Sequence, residues 1–409
     1  MVPNGWKKGV IKDIAKVSSG GTPSRQNDAY WLGGQIPWVT TTEVKFGVIK
    51  DTEQKITEAG LKNSSAKLFP KDTILMAMYG QGKTRGQVAK LGIEASTNQA
   101  CAALLLNDGF EVDYYYQYLV SQYENIRELA NSGGQQNLSA GIIKSIHIPI
   151  PPQLEQRKIA KILSIWDKAI STTERLIDNS KQQKKALMQQ LLTGKKRLLD
   201  DSGKSFESEW EEKRLSEIGD IYSGGTPSTA KPEYWDGDIN WVTPTDITKQ
   251  DSIYIESTAR LVSTDGIKNS SAKLLPKGTL LVCTRATIGE MAIASHEMST
   301  NQGFKNIVPN EKTNIEFVYY LLNFYKHKLI SKASGSTFLE LSKSAFEGMH
   351  FHIPDYQEQK KIAAVLLNAD REIDVLQQQL SDLKQEKKAL MQQLLTGKRR
   401  VKVDKKEVA

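Results

Sequence analysis

Apolar residues follow two different rhythms along this chain. From Ile362 they recur at Leu366, Ala369, Ile373, Leu376, Leu380 and Leu383, then at Leu390 and Leu394, the alternating spacing of a coiled-coil seam interrupted by Lys387. The same rhythm places Ile159, Leu163, Trp166, Ile170, Ile177, Leu187 and Leu191 on one stripe, with Thr173, Ser180 and Lys184 as polar interruptions. Pro152 suits a first helical turn, Asp355 with Glu358 makes a capping-box-like start, and Gly194 and Gly397 follow the last seam residues as stops. The spacing therefore predicts two bounded helices of similar length, each roughly 48 Å from first to last seam residue at 1.5 Å per residue. The rest of the chain alternates short β-branched and aromatic runs, such as IPWVT, DTILMAMY and IHIPI, with Gly, Asn, Ser and Pro turns, and these predict strands. Amphipathic helices are expected over Val112 to Ala130 and Ile315 to Ala333.

The pattern is written twice. KKALMQQLLTGK runs from Lys184 to Lys195 and returns unchanged from Lys387 to Lys398. Nearly the same offset relates SGGTPS at Ser19 and Ser223, Tyr30-Trp31 and Tyr234-Trp235, and Trp38-Val39-Thr40 and Trp241-Val242-Thr243. It also relates KNSSAKL at Lys62 and Lys268, STNQ at Ser96 and Ser299, and IP…EQ.KIA at Ile150 and Ile353. A repeat this long is a domain plus an appendage rather than a solenoid unit. The expected fold is α/β (α+β), two similar globular domains joined by two long helices. Each helix needs a partner for its seam, and connectivity makes that pairing antiparallel, with pseudo-twofold symmetry and the C-terminus returning to the first domain.

Composition changes this picture only slightly. The 409 residues carry a net charge of +8, a modest excess that suits a polyanion without demanding one. Cys101 and Cys283 sit in apolar runs and read as buried thiols. The five histidines lack cysteine neighbours at zinc spacing, so no metal site is expected. The longest apolar run, Ala100 to Leu106, is too short to span a membrane, and a soluble, cytoplasmic protein is expected.

Two similar domains related by a pseudo-dyad match a duplex read at two points a helical turn or more apart. Acidic residues are absent between Asp178 and Asp200, where Lys181, Lys184, Lys185, Lys195, Lys196 and Arg197 fall. They are also absent between Glu386 and Asp404, where Lys387, Lys388, Lys398, Arg399, Arg400 and Lys402 fall. These cations suit phosphates, and equally suit the C-terminal ends of helix dipoles. Base readers belong where the copies differ. Lys83, Thr84, Arg85 and Gln87 of copy one face Thr284, Arg285 and Thr287 of copy two, and Gln135, Gln136 and Asn137 face Ser336 and Thr337. Arg suits guanine, Gln and Asn suit adenine, and Thr can meet a thymine methyl. The shared SGGTPS loop, with Thr22, Ser24, Thr226 and Ser228, reads either as a phosphate-binding turn or as a structural one.

Enzymatic patterns fail on inspection. AMYGQGKT at Ala77 to Thr84 imitates a phosphate-binding loop, yet copy two has no Gly-Lys-Thr, and Gly86 and Gly92 break the helix that such a loop requires. No GxSxG elbow, dinucleotide fingerprint or Asn-Pro-Pro-aromatic methyltransferase signature is present.

Taken together, the duplicated KKALMQQLLTGK helix ends, the IP…EQ.KIA helix starts and the SGGTPS…YW…WVT domain openings resemble the specificity (S, HsdS) subunits of type I restriction–modification enzymes. The resemblance implies target recognition domains at 1–150 and 207–352, a central conserved spacer helix at 151–194 and a distal one at 353–397, a linker at 195–206 and a basic tail at 398–409. It implies a non-catalytic subunit that reads a bipartite, asymmetric DNA site, with related half-sites that do not form an inverted repeat. It also implies two modification (methyltransferase) subunits docked on the helices, which carry S-adenosylmethionine and methylate adenine at N6, and two restriction (motor-nuclease) subunits that use ATP and Mg. The chain itself would hold no cofactor. A stand-alone bipartite DNA-binding or scaffold protein is the competing class.

Overall fold

The computed structural model describes residues 2–80, 83–129, 137–335 and 339–403. The chain divides into two compact units, and neither is a single stretch of sequence. One comprises Met1–Glu174 with Gln378–Ala409, and the other Arg175–Gln377. Both long helices are therefore shared between units.

In the first unit, a five-stranded sheet runs in the order Ala15–Ser19, Cys101–Leu106, Ile74–Ala77, Val88–Leu91, Val48–Ile49, antiparallel except for the last pair. Its two middle strands, Cys101–Leu106 and Ile74–Ala77, are apolar without interruption because both faces are covered. Ile74, Met76, Ala102 and Leu104 point into one core with the helix Val112–Ser121, while Leu75, Ala77, Cys101 and Ala103 point into another. A second sheet, Gln54–Ile56, Ile36–Val39, Ala95–Thr97, Leu68–Phe69, carries the WVT and STNQ motifs. A ribbon of Lys7–Val10 and His147–Ile150 closes the unit beside the long helix Gln153–Leu191.

The second unit repeats this plan. Its five strands run Gly219–Ser223, Phe304–Pro309, Leu280–Cys283, Met291–Ala294, Tyr254–Ile255. Trp235–Val242 lies between Leu261–Val262 and Met298–Thr300, and Glu211–Arg214 pairs with His350–Ile353 before the long helix Tyr356–Leu394. Cys101 and Cys283 are free and buried as expected, and burial pushes both thiols up to about 12.

The predicted helices over 112–130 and 315–333 are each broken. Val112–Ser121 yields to Tyr123–Leu129 at Gln122, and Ile315–Phe324 yields to Lys326–Ser331 at Tyr325. The break lets each short second helix turn its one core residue, Ile126 or Leu329, inward.

Within each unit the long-helix segments run antiparallel. In the first, Asp167 meets Lys387 at 2.6 Å and Glu174 meets Lys384 at 2.8 Å; in the second, Ser180 donates to Glu372 at 3.1 Å and Lys184 pairs with Asp370. The seam is not uniformly buried. Ile159, Leu163 and Leu394 sink into the first domain core, and Leu191, Ile362 and Leu366 into the second. Ile177 and Ile373 are also buried, whereas Trp166, Ile170, Leu187, Leu376, Leu380, Leu383 and Leu390 are only half-buried, because one partner helix covers a single narrow stripe. Lys184 and Lys387 interrupt the seam for a reason that is the same in both units. Each ammonium pairs with a carboxylate of the facing helix, and that carboxylate also accepts a hydrogen bond from the domain, from Gln117 to Asp167 and from Tyr320 to Asp370.

The start of the second helix corrects the capping-box expectation. Asp355 does accept from the Glu358 amide at 3.0 Å, but the Glu358 carboxylate does not reach back. It is buried and binds Arg197 at 2.6 and 2.7 Å and the Trp210 indole at 3.1 Å. In the first unit Glu155 similarly takes Arg400 and, at 3.2 Å, Trp6. The C-terminal segment thus returns to the first unit. Arg197, Arg400, Lys184 and Lys387 are engaged in internal ion pairs.

Candidate nucleic-acid interface

The motifs common to both copies assemble into one frame in each unit. Gly20 and Gly21 pass so close to neighbouring backbone that a Cβ would lie 2.0 Å from the Thr97 carbonyl oxygen and 2.3 Å from Ser65. Gly224 and Gly225 meet Asn301 at 1.9 Å and Ser271 and Ala272 at 2.4 Å. SGG, NSSA and STNQ therefore recur together because they pack together. The Gly21 amide donates to Thr97 O at 2.8 Å and the Gly225 amide to Thr300 O at 2.9 Å, so these amides are not presented to an anion. Two tryptophans lace the loop. Trp38 donates to Gly21 O at 2.9 Å and Trp31 to Ser24 O at 3.0 Å; Trp241 donates to Gly225 O at 3.0 Å and Trp235 to Ser228 O at 3.1 Å. In each pair the rings meet edge to face, 5.0 and 4.9 Å apart. The structural reading of SGGTPS is therefore correct for its glycines. The hydroxyls of Thr22 and Thr226 donate to Gln99 and Gln302, and the side chains of Ser24, Thr226 and Ser228 are exposed.

This packing predicts that Gly20→Ala lowers stability by about 2–3 kcal/mol through overpacking. The comparison variant Gly141→Ala, whose added methyl meets only Ser139 Oγ at 3.6 Å, should be near neutral. Urea unfolding of both proteins measures the difference, and equal midpoints would contradict it.

The differing segments converge on the same end of the sheet in both units. In the first unit Met78 donates to Ala100 O at 2.8 Å and Leu138 to Met78 O at 3.0 Å, which joins the loop after Ile74–Ala77 to the STNQ turn and to Asn137. In the second, Thr284 donates to Gly303 O at 2.7 Å and Leu341 to Thr284 O at 2.9 Å. Lys83 and Asn137 are exposed, and Thr84, Arg85 and Gln87 are half-buried. Ala77 and Gln87 are bonded across a hairpin into Val88–Leu91, so no helix stands behind the AMYGQGKT segment and the phosphate-loop likeness is one of sequence only.

Arg285 is exposed and fixed by Glu340, with Nε donating at 3.1 Å, while Thr287 is half-buried. Thr284 is a correction. It is fully buried and its hydroxyl donates to Gly303 O at 3.1 Å, so it braces the loop and is not available to a base. Gln135, Gln136, Ser336 and Thr337 lie outside the described residues.

Three charged residues escaped the sequence reading. Lys305 lies almost wholly buried beneath the Arg285 loop. Burial pushes its pKa down, Glu340 opposes that shift, and Arg285 and Lys343 add to it. Nothing in FKNIVP singles this lysine out, and the first copy has Ala102 there. The others are Arg25 and Arg260, whose guanidinium groups lie 3.9 Å above Trp31 and 3.7 Å above Trp235. They do not align between copies. TPSR at 22–25 faces TPST at 226–229, while Arg260, counted back from KNSSAKL, faces Gln54. Only the fold puts them in one place.

Among the described residues no group of His, Cys, Asp and Glu is suited to hold a metal, and no helix is long and apolar enough to cross a membrane.

The family pattern described as "Type I restriction modification DNA specificity domain" matches residues 3–180 and again 207–385. The MjaIX type I restriction enzyme specificity subunit of Methanocaldococcus jannaschii is 41% identical over 163 residues, covering 39% of this chain and 37% of that protein. A putative MjaX specificity subunit of the same organism is 25% identical over 98% of this chain and 95% of its own length. The crystal structure of the type I restriction–modification S subunit from M. genitalium has the same fold, with a TM-score of 0.61 over 96% of each chain at 18% identity.

Proposed function

The chain belongs to the type I restriction modification DNA specificity family, and from that premise we propose that it selects the DNA sequence on which a type I restriction–modification complex acts. Each unit reads one half of a bipartite, asymmetric site. The observation that carries this is the contrast within each unit between a frame repeated almost residue for residue and loops that differ at the same sheet end. A common frame fixes how a domain sits on a duplex, and the differing side chains decide which bases it accepts. Arg285, held in place by Glu340, is the best-positioned reader for a guanine in one half-site.

The helices supply the second half of the proposal. Ile165 is 61% exposed in the first unit, and Leu176 and Val375 are 45% and 66% exposed in the second. Leu192 and Met391, near the C-terminal ends of the two helices, are by contrast buried in the domain cores. The exposed residues suit the docking of two modification subunits, which would supply S-adenosylmethionine and methylate adenine at N6 in the cytoplasm. Two ATP- and Mg-dependent restriction subunits would complete the cutting complex. The chain's own part is binding and spacing, with no cofactor of its own.

Mapping N6-methyladenine across a host genome, with the gene present and deleted, tests the proposal. Deletion is expected to erase one motif made of two unlike half-sites and a fixed gap. A palindromic motif, or none lost, would refute it.

A further inference from the structure

Arg25 and Arg260 reach equivalent places from non-equivalent positions. In each unit a guanidinium lies on the outer indole of the tryptophan pair, 3.9 and 3.7 Å from its centre, and within 4.9 and 5.3 Å of the inner one. A stacked guanidinium spends its face on the ring and keeps its edge N–H groups for acceptors. Gln54 takes one of them in the first unit at 2.7 Å. Among the described residues, neither arginine pairs with a carboxylate, unlike Arg127, Arg197, Arg285 and Arg400. Both are exposed beside the SGGTPS loop, whose Thr22 or Thr226 is bonded to the STNQ turn that abuts the reader loops. A cation kept at one point of the frame by two different sequence solutions, and left without an anion, is placed for an external one.

We propose that Arg25 and Arg260 are matched contacts to the sugar–phosphate backbone of DNA, one in each recognition domain. They set the docking of the domain and do not choose bases. The inference rests on the DNA-reading function proposed above and adds two residues to it.

The test uses the full chain assembled with its modification subunits. Binding to a duplex carrying the mapped site, and to an unrelated duplex of equal length, is titrated over a range of salt. Arg25→Thr is expected to weaken both duplexes by the same factor, about eightfold at 0.1 M salt, and to make the salt slope shallower by about one. Arg25→Thr combined with Gln54→Arg, which builds the second unit's arrangement into the first, is expected to restore both. A purely structural stack would lower the melting temperature and leave the slope unchanged, which overturns the inference. So would a swap variant that melts like wild type without regaining the slope. Should Arg25→Thr not fold, Arg260→Gln in the other unit reads out the same quantity. Wild-type complex that binds neither duplex would instead overturn the DNA-reading function itself.

Discussion

Arg197→Ala is expected to destabilise the second unit by about 3–5 kcal/mol, the cost of leaving a buried carboxylate without its counter-charge. Glu358 has no exposed side-chain surface, and Arg197 approaches it with two N–H groups at 2.6 and 2.7 Å. Only the Trp210 indole would remain, at 3.1 Å, and one neutral donor cannot replace a bidentate cation. The geometry also makes the effect specific to the pair. Replacing both partners with apolar residues, Arg197→Met with Glu358→Leu, removes the charge together with its partner and is expected to lose much less. Arg400→Ala, the first-unit counterpart, should cost less than Arg197→Ala because Arg400 is 40% exposed where Arg197 is 25% exposed. Urea unfolding of the three variants measures this order. A loss below about 1 kcal/mol for Arg197→Ala would mean that the pair behaves as a surface ion pair.

That clamp shows where sequence periodicity stops being informative. The seam residues, the terminal glycines and the duplication were all legible, because each is a local or strictly repeated pattern. Gly194 and Gly397 do adopt the left-handed conformation expected of helix stops, with φ of +67° and +69°. The partners of the charged residues were not legible. Arg197 lies 161 positions from Glu358, and Arg400 lies 245 from Glu155, so no window of sequence holds both. The basic segments suited phosphates and helix-dipole ends equally, and neither reading showed that two of their arginines and two of their lysines secure the helices internally. The repeated EQ pair has the same explanation. Its Glu takes the clamp arginine, and its Gln caps the neighbouring helix, with Gln156 accepting from the Glu111 amide and Gln359 from the Asn314 amide, each at 2.9 Å.

The candidate site divides along the same line. Comparison of the copies located the loops that differ between the units, since difference within a duplication is visible in sequence. It could not tell a contact from a brace. Thr284 and Arg285 are adjacent, and only burial separates the residue that holds the loop from the one that faces outward. Comparison by alignment also hid Arg25 and Arg260, because one copy places the cation in the turn after SGGTPS and the other just before the strand Leu261–Val262. A search for residues common to both copies discards such a pair.

Lengthening the helices should move the half-sites apart in a phase-dependent way, the largest functional change expected. The insertion point matters. Residues added next to Gly194 would shift Arg197 relative to Glu358 and disturb the clamp, whereas the boundaries Glu174/Arg175 and Gln377/Gln378 lie away from both clamps. One heptad added to each helix there preserves the seam and adds about 10 Å of helix, the length of about three base pairs. Three base pairs also turn the duplex by roughly 100°, which carries one half-site away from the face its reader approaches, so a single heptad should abolish modification at every gap length. Three heptads add about 32 Å, close to one full turn of 34 Å, and restore the phase. The methylated motif should then reappear with unchanged half-sites and a gap longer by about ten base pairs. Methylation mapping with the three proteins decides it. Altered half-site bases, or an unchanged gap in the three-heptad protein, would show that the helices are not the ruler.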